Sequence, residues 1–107
     1  MIKEIVIQVR PSVEIAWPEE ALGSQAQDNE NYLQNQYYAT NKIVKSPPST
    51  SSDGLTKTYE YVFSNMESVT EFYNDATIQA YKQVRNNYMD ANGIVASYTQ
   101  EGFVRPI

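Results

Sequence analysis

Five polar side chains fall at same-parity positions of two short apolar segments: Glu4, Gln8 and Arg10 near the start of the chain, Thr58 and Glu60 in its middle. In an extended segment, residues of one parity share a face. All five could therefore line one surface of a sheet. Two carboxylates, an amide, a guanidinium and a hydroxyl on a common surface could hydrogen-bond a small ligand or carry general acid–base chemistry. The simpler reading is a hydrated, salt-bridged interface between two such sheets, because polar networks are common where protein surfaces meet. The candidate ligand-binding residues are Gln8, Arg10 and Glu60, with Trp17 added. Trp17 is the sole tryptophan and lies in a long irregular stretch, residues 12–27, where it could lid a pocket or pin the loop to the body. Val6, Thr58 and Val62 are the candidate interface residues on the same expected face.

What is missing narrows the chemistry further. The chain has no histidine, which removes the commonest general base and the commonest zinc, copper and haem ligand. It has no cysteine, so disulfides and thiolate catalysis are excluded. Asp53 and Glu67 have no acidic neighbour at the spacing of a calcium loop. No metal site and no cofactor is expected. A formal net charge of −5 repels nucleic acid unless a local patch overrides it. Residues 57–63, Lys-Thr-Tyr-Glu-Tyr-Val-Phe, superficially echo the aromatic strand of RNA-recognition domains. Thr58 and Glu60 stand where small residues are required, and a carboxylate there would repel phosphate. No nucleic-acid partner and no membrane partner is expected, since the apolar runs are only a few residues long. The first residues lack the apolar core of a signal peptide, so a cytoplasmic location is the default, and a virion also fits.

The elements that must position these residues are legible in outline. Residues 3–10 read as a strand in which Ile5, Ile7 and Val9 alternate with Glu4, Val6, Gln8 and Arg10. Ile5, Ile7 and Val9 are expected to face the helices, with Val6 and Gln8 on the other side. Pro18 suits the first position of a short helical turn, and Gly23-Ser24 ends it. A weak helix is expected over 28–40, with Asp28 as its cap and Leu33 and Tyr37 on one stripe. A second strand over 42–46 runs into Pro47-Pro48, which marks an edge. Asp53-Gly54 is a turn signal. In the next strand Tyr59, Tyr61 and Phe63 face the helices, and Thr58, Glu60 and Val62 face away. Ser64 and Glu67 match a capping box opening a long helix to Asn92. Asn74 to Thr77 interrupts that helix, Asp75 is placed to cap a second segment, and Gly93 ends it. Its apolar stripe is read as Val69, Phe72, Tyr73, Ala76, Ala80, Val84, Tyr88 and Ala91. A last strand covers 94–101.

The order β, α, β, β, α, β is the split arrangement of a ferredoxin-like α+β domain, with the first and third strands central and helices on one face of an antiparallel sheet. At 107 residues a single domain is expected. With helices on one face only, Val6 and Val62 would be left on the other, and a second copy of the chain is expected to cover them. The apolar tail, residues 103–107, is expected to reach across to that copy.

Three stretches also resemble the dimeric α+β barrel superfamily, and antibiotic-biosynthesis-monooxygenase-like proteins within it. They are Glu4-Ile5-Val6-Ile7-Gln8-Val9, the run from Tyr59 through Ser64-Asn65-Met66-Glu67-Ser68, and Phe72-Tyr73-Asn74-Asp75-Ala76 continuing to Asn92-Gly93-Ile94. The third is similar to an "F-x-x-D-P" bend, with Ala76 in place of the proline. The resemblance implies a homodimeric ferredoxin-like fold. It transfers no catalytic residue, and haem chemistry that depends on histidine cannot follow from it. Three functions come out of this reading: a non-catalytic homodimer with an accessory or small-ligand-binding role, a cofactor-independent monooxygenase-like enzyme on a small organic substrate, or a component of a phage or virion.

Overall fold

A computed structural model describes residues 1–106. Strand β1 (Ile2–Val9) lies at the centre of an antiparallel sheet, between β4 (Thr56–Phe63) and β5 (Val95–Glu101). On the far side of β4 run β2 (Ile43–Lys45) and the two-residue β3 (Ser49–Thr50). These two are one edge strand interrupted by Pro47-Pro48, whose rings cannot donate to a ladder. The order β2-β4-β1-β5 is that of a ferredoxin-like α+β fold, as expected.

The helices cover one face. Helix α1 (Pro18–Ala21) starts with proline at its first position. Helix α2 (Ser24–Leu33) begins a turn earlier than the sequence suggests. Gly23, at φ 53°, supplies the left-handed bend that lets the chain turn into α2, so Asp28 lies exposed inside the helix and caps nothing. A π-helical turn over Gln34–Tyr38 extends it and carries the fully buried Tyr37. Helices α3 (Met66–Asn74) and α4 (Ala76–Ala91) form the broken pair that the weak helix formers predict.

Two side chains make that break. The cap of α3 is Asn65, whose Oδ1 accepts from the Ser68 amide at 2.9 Å; Ser64 is not the cap, and its hydroxyl meets that of Ser68 instead. Asp75 caps α4, Oδ1 accepting from Thr77 N at 3.0 Å. Its other oxygen accepts from Tyr32 and Tyr37 at 2.8 and 2.7 Å. Burial works against the Asp75 carboxylate, but the hydrogen bonds from Tyr37, Tyr32 and the α4 backbone outweigh it and hold the carboxyl below its ordinary value. Gly93, at φ 71°, ends α4.

The core joins Tyr59, Tyr61 and Phe63 of β4 to Leu33, Tyr37, Val69, Phe72 and Ile78 of the helices. The phase of β4 is the one expected, and that of β1 is inverted. Val6 pairs directly with Tyr59, and directly paired residues share a face. Glu4, Val6 and Gln8 are therefore buried under the helices, while Ile5, Ile7 and Val9 lie on the helix-free face. In α4 the buried stripe is Ile78, Arg85 and Met89; Ala76, Ala80 and Ala91 are exposed. The tail folds back on its own chain, with Phe103 against Phe63 and Tyr73 and the Arg105 guanidinium 3.8 Å over the Tyr98 ring. Ile107, the last residue of the tail expected to cross to a partner, lies outside the described residues.

Candidate functional site

Cross-strand pairing sets out the sheet floor under the helices in rows. Lys57, Gln8 and Ala96 form one row, Tyr59, Val6 and Tyr98 the next, and Tyr61, Glu4 and Gln100 a third. Each row poses a different problem of burial.

The third row solves its own. Glu4 is 2% exposed, and its Oε2 accepts from Tyr73 OH at 2.5 Å and from Gln100 Nε2 at 3.0 Å, with Arg105 Nε at 3.6 Å. Burial, and then this bond to Glu4, pushes the Tyr73 hydroxyl up. A buried carboxylate with two donors and a guanidinium beside it is a satisfied structural group.

One end of the first two rows, with Tyr61 of the third, opens instead into a cavity of about 390 Å³ between the sheet, α1, α2 and α4. Gln8, Lys57, Tyr59 and Tyr61 form its floor, Asn29 and Leu33 of α2 one wall, and Tyr81 and Arg85 of α4 the other. Burial pushes both floor tyrosines up, so they enter the wall as neutral rings with hydroxyls. Three residues that line this cavity each carry a buried polar atom without a hydrogen-bond partner: Gln8 Oε1, Asn29 Oδ1 and Arg85 Nε. Native proteins leave few such atoms, because each forfeits its bonds to water for nothing.

Three cations line the same cavity. Lys45 lies 3.7 Å from Glu30 and 4.9 Å from the centre of the Tyr59 ring. Lys57, 8% exposed, forms an ion pair with Glu19 at the rim. Burial, with Arg10 as the lesser cause, pulls the Lys57 amine down to about 8. Arg85, 9% exposed, reaches Tyr98 OH at 3.2 Å and Asn86 Oδ1 at 3.3 Å, both neutral. Among the described residues no group of histidine, cysteine, aspartate or glutamate is placed to hold a metal ion.

The four site residues expected from sequence do not form one site: Arg10 and Trp17 meet, while Gln8 and Glu60 lie on opposite faces of the sheet. Gln8 lines the cavity. Glu60 lies on the opposite face of the sheet, 3.7 Å from Lys3. Arg10 donates to the carbonyls of Gly54 and Ile15 at 2.9 and 2.8 Å and lies 4.4 Å over the Trp17 ring, so it staples the irregular stretch to the strand. Trp17 is 4% exposed and packs on Met89 and Ile94, behind the cavity and not over it. Of the expected interface residues, Thr58 and Val62 are on the helix-free face, and Val6 is in the core. Lys57, Arg85 and Asn29 were not anticipated. The signal for Arg85 was there: it falls seven residues after Ile78 and four before Met89, where a helix buries its apolar stripe. A charge on that stripe asks for a partner.

No family model matches the chain, and no curated protein matches it. Solved structures do. One, from Caulobacter crescentus CB15, is of a proposed antibiotic biosynthesis monooxygenase; it is 13% identical, with a TM-score of 0.57 over 95% of this chain and 91% of that one. Another, from Burkholderia cenocepacia, is of a proposed amidohydrolase/peptidase, 10% identical with a TM-score of 0.42 over 94% of this chain and 27% of that one. At such identities the first likeness establishes the fold. This chain has the ferredoxin-like α+β fold of an antibiotic-biosynthesis-monooxygenase-like structure, in agreement with the resemblance read from its sequence.

Proposed function

We propose that this protein is a homodimeric small-ligand-binding protein whose ligand occupies the cavity between sheet and helices. The observation that carries the reading is the coincidence of a cavity of about 390 Å³ with three lining residues that each carry a buried, unpartnered polar atom. Small molecules bind in concave pockets where polar groups fix their orientation, and this one mixes polar and charged side chains with Leu33, Tyr59 and Tyr61. Ala26, 7% exposed, lines the same cavity, and Ala26→Trp would fill it. In a ligand-observed NMR screen of phenols and aromatic acids, the wild type should bind members of the panel and the variant none. A wild type that binds nothing, or a variant that binds equally, overturns the reading.

The dimer rests on the helix-free face. Ile5, Ile7 and Val62 lie there half-buried beside the exposed Val9, Val44 and Val95. An antiparallel sheet face left in water normally reads as polar. A two-fold copy is the commonest cover for such a face. Sedimentation equilibrium at micromolar concentration should give a dimer for the wild type and a monomer for Val62→Lys. A monomeric wild type refutes this half.

One observation favours the catalytic alternative, a cofactor-independent monooxygenase-like enzyme. Lys57 brings to the cavity an amine pulled down to about 8, and above that pH its neutral form, freed from Glu19, could take the proton of a bound phenol. The name given to the Caulobacter crescentus structure points the same way. Dioxygen uptake with a dihydroxynaphthalene, abolished by Lys57→Gln, would establish it; no uptake by the wild type sinks it.

A further inference from the structure

Resting on the ligand-binding reading above, we infer that Arg85 is an anion anchor and that the cavity takes a small aromatic acid carrying one negative charge and a hydroxyl. The charge follows from pairing. Lys45 and Lys57 meet Glu30 and Glu19, whereas Arg85 meets no carboxylate among the described residues. A guanidinium this deeply buried is expensive to leave with neutral partners alone, and a carboxylate is the group its planar fork is shaped to bind. One uncompensated cation calls for one anionic group. Arg85 lines the cavity, and its Nε has no hydrogen-bond partner within the protein, so the guanidinium has bonding capacity left for an anion bound there.

The rest of the wall describes the rest of the molecule. Gln8 and Asn29 line the cavity with amide groups whose oxygens have no partner within the protein, and a ligand hydroxyl is a donor that suits them. Tyr59, Tyr61 and Leu33 offer a flat apolar surface on which an aromatic ring fits. Glu19 and Glu30, at the rim beside their lysines, disfavour a second negative charge.

The test uses the full chain and two ligands of nearly one shape, 4-hydroxybenzoate and its neutral amide, measured by isothermal titration calorimetry at low salt. The acid should bind the wild type at least tenfold more tightly than the amide. Arg85→Met should erase that preference while leaving amide binding, and Arg85→Lys should restore part of it. Equal binding of acid and amide to the wild type overturns the anion assignment and leaves the cavity reading standing. Binding of neither overturns both. Should Arg85→Met fail to fold, the comparison of the two ligands on the wild type still decides the matter.

Discussion

Removing the Asp75 carboxylate should cost more stability than any other single polar change at the surface of the helical layer. Asp75 performs two tasks at once. It caps α4 through Thr77 N and Ile78 N, at 3.0 and 3.4 Å, and it accepts from Tyr32 and Tyr37. Loss of a cap costs about 1 kcal/mol. A hydrogen bond to a charged group is worth about 1.5–3 kcal/mol when its partner stays buried. Tyr37 has no exposed surface, and without Asp75 its hydroxyl keeps only the Glu71 carbonyl at 3.4 Å. It should lose nearly the full value. Tyr32 is half-buried and can turn to water, so its share is small. Asp75→Ala should therefore destabilise the protein by about 3 kcal/mol, from a total of the order of 5–15 kcal/mol. In a chain of this size that lowers Tm by roughly 10–20 °C. The assay is urea and thermal unfolding of Asp75→Ala, Tyr37→Phe and the double variant. The cycle should return a coupling of about 1–2 kcal/mol. The same carboxylate also sets a pH dependence. Its folded pKa lies below the ordinary 3.8, so its contribution is complete above that value and is lost as pH falls through the folded pKa. Asp75→Ala should flatten that acid limb. A cost below about 1 kcal/mol with no coupling, set against the values above, would refute the two-tyrosine account.

Two other changes separate structural from functional polarity. Asn65→Ala should cost about 1 kcal/mol in urea unfolding, while Ser64→Ala stays within about 0.5 kcal/mol, because only Asn65 accepts from the Ser68 amide. The reverse ranking would return the cap to Ser64. Gln8→Met should raise stability by up to about 1 kcal/mol, since it removes an unpartnered buried oxygen at nearly constant volume, and it should weaken ligand binding. A loss of stability together with unchanged binding would show that Gln8 serves the fold alone.

What local chemistry determines about this protein is legible in the chain. Tyr59, Tyr61 and Phe63 alternate with Thr58, Glu60 and Val62, so only one phase of β4 buries its aromatic rings. Asp75 interrupts the long helical pattern because a short carboxylate prefers a cap, and Gly93 ends it because the turn needs a positive φ. Pro47-Pro48 announces an edge. The order of these elements was enough to specify the sheet. The phase of β1 was beyond local reading. Ile5, Val6, Ile7 and Val9 are apolar on both faces, and period two then favours neither. Pairing with β4, about fifty residues away in the chain, decided it by setting Val6 opposite Tyr59. That one long-range choice carried Glu4 and Gln8 inside. Glu4 found Tyr73, Gln100 and Arg105 there, contributed by α3, β5 and the tail. Gln8, on the part of the sheet where a cavity opens beneath the helices, found no partner for its Oε1. Whether a buried polar group meets a neighbour or an open volume depends on where other elements pack, and only the tertiary structure settles that.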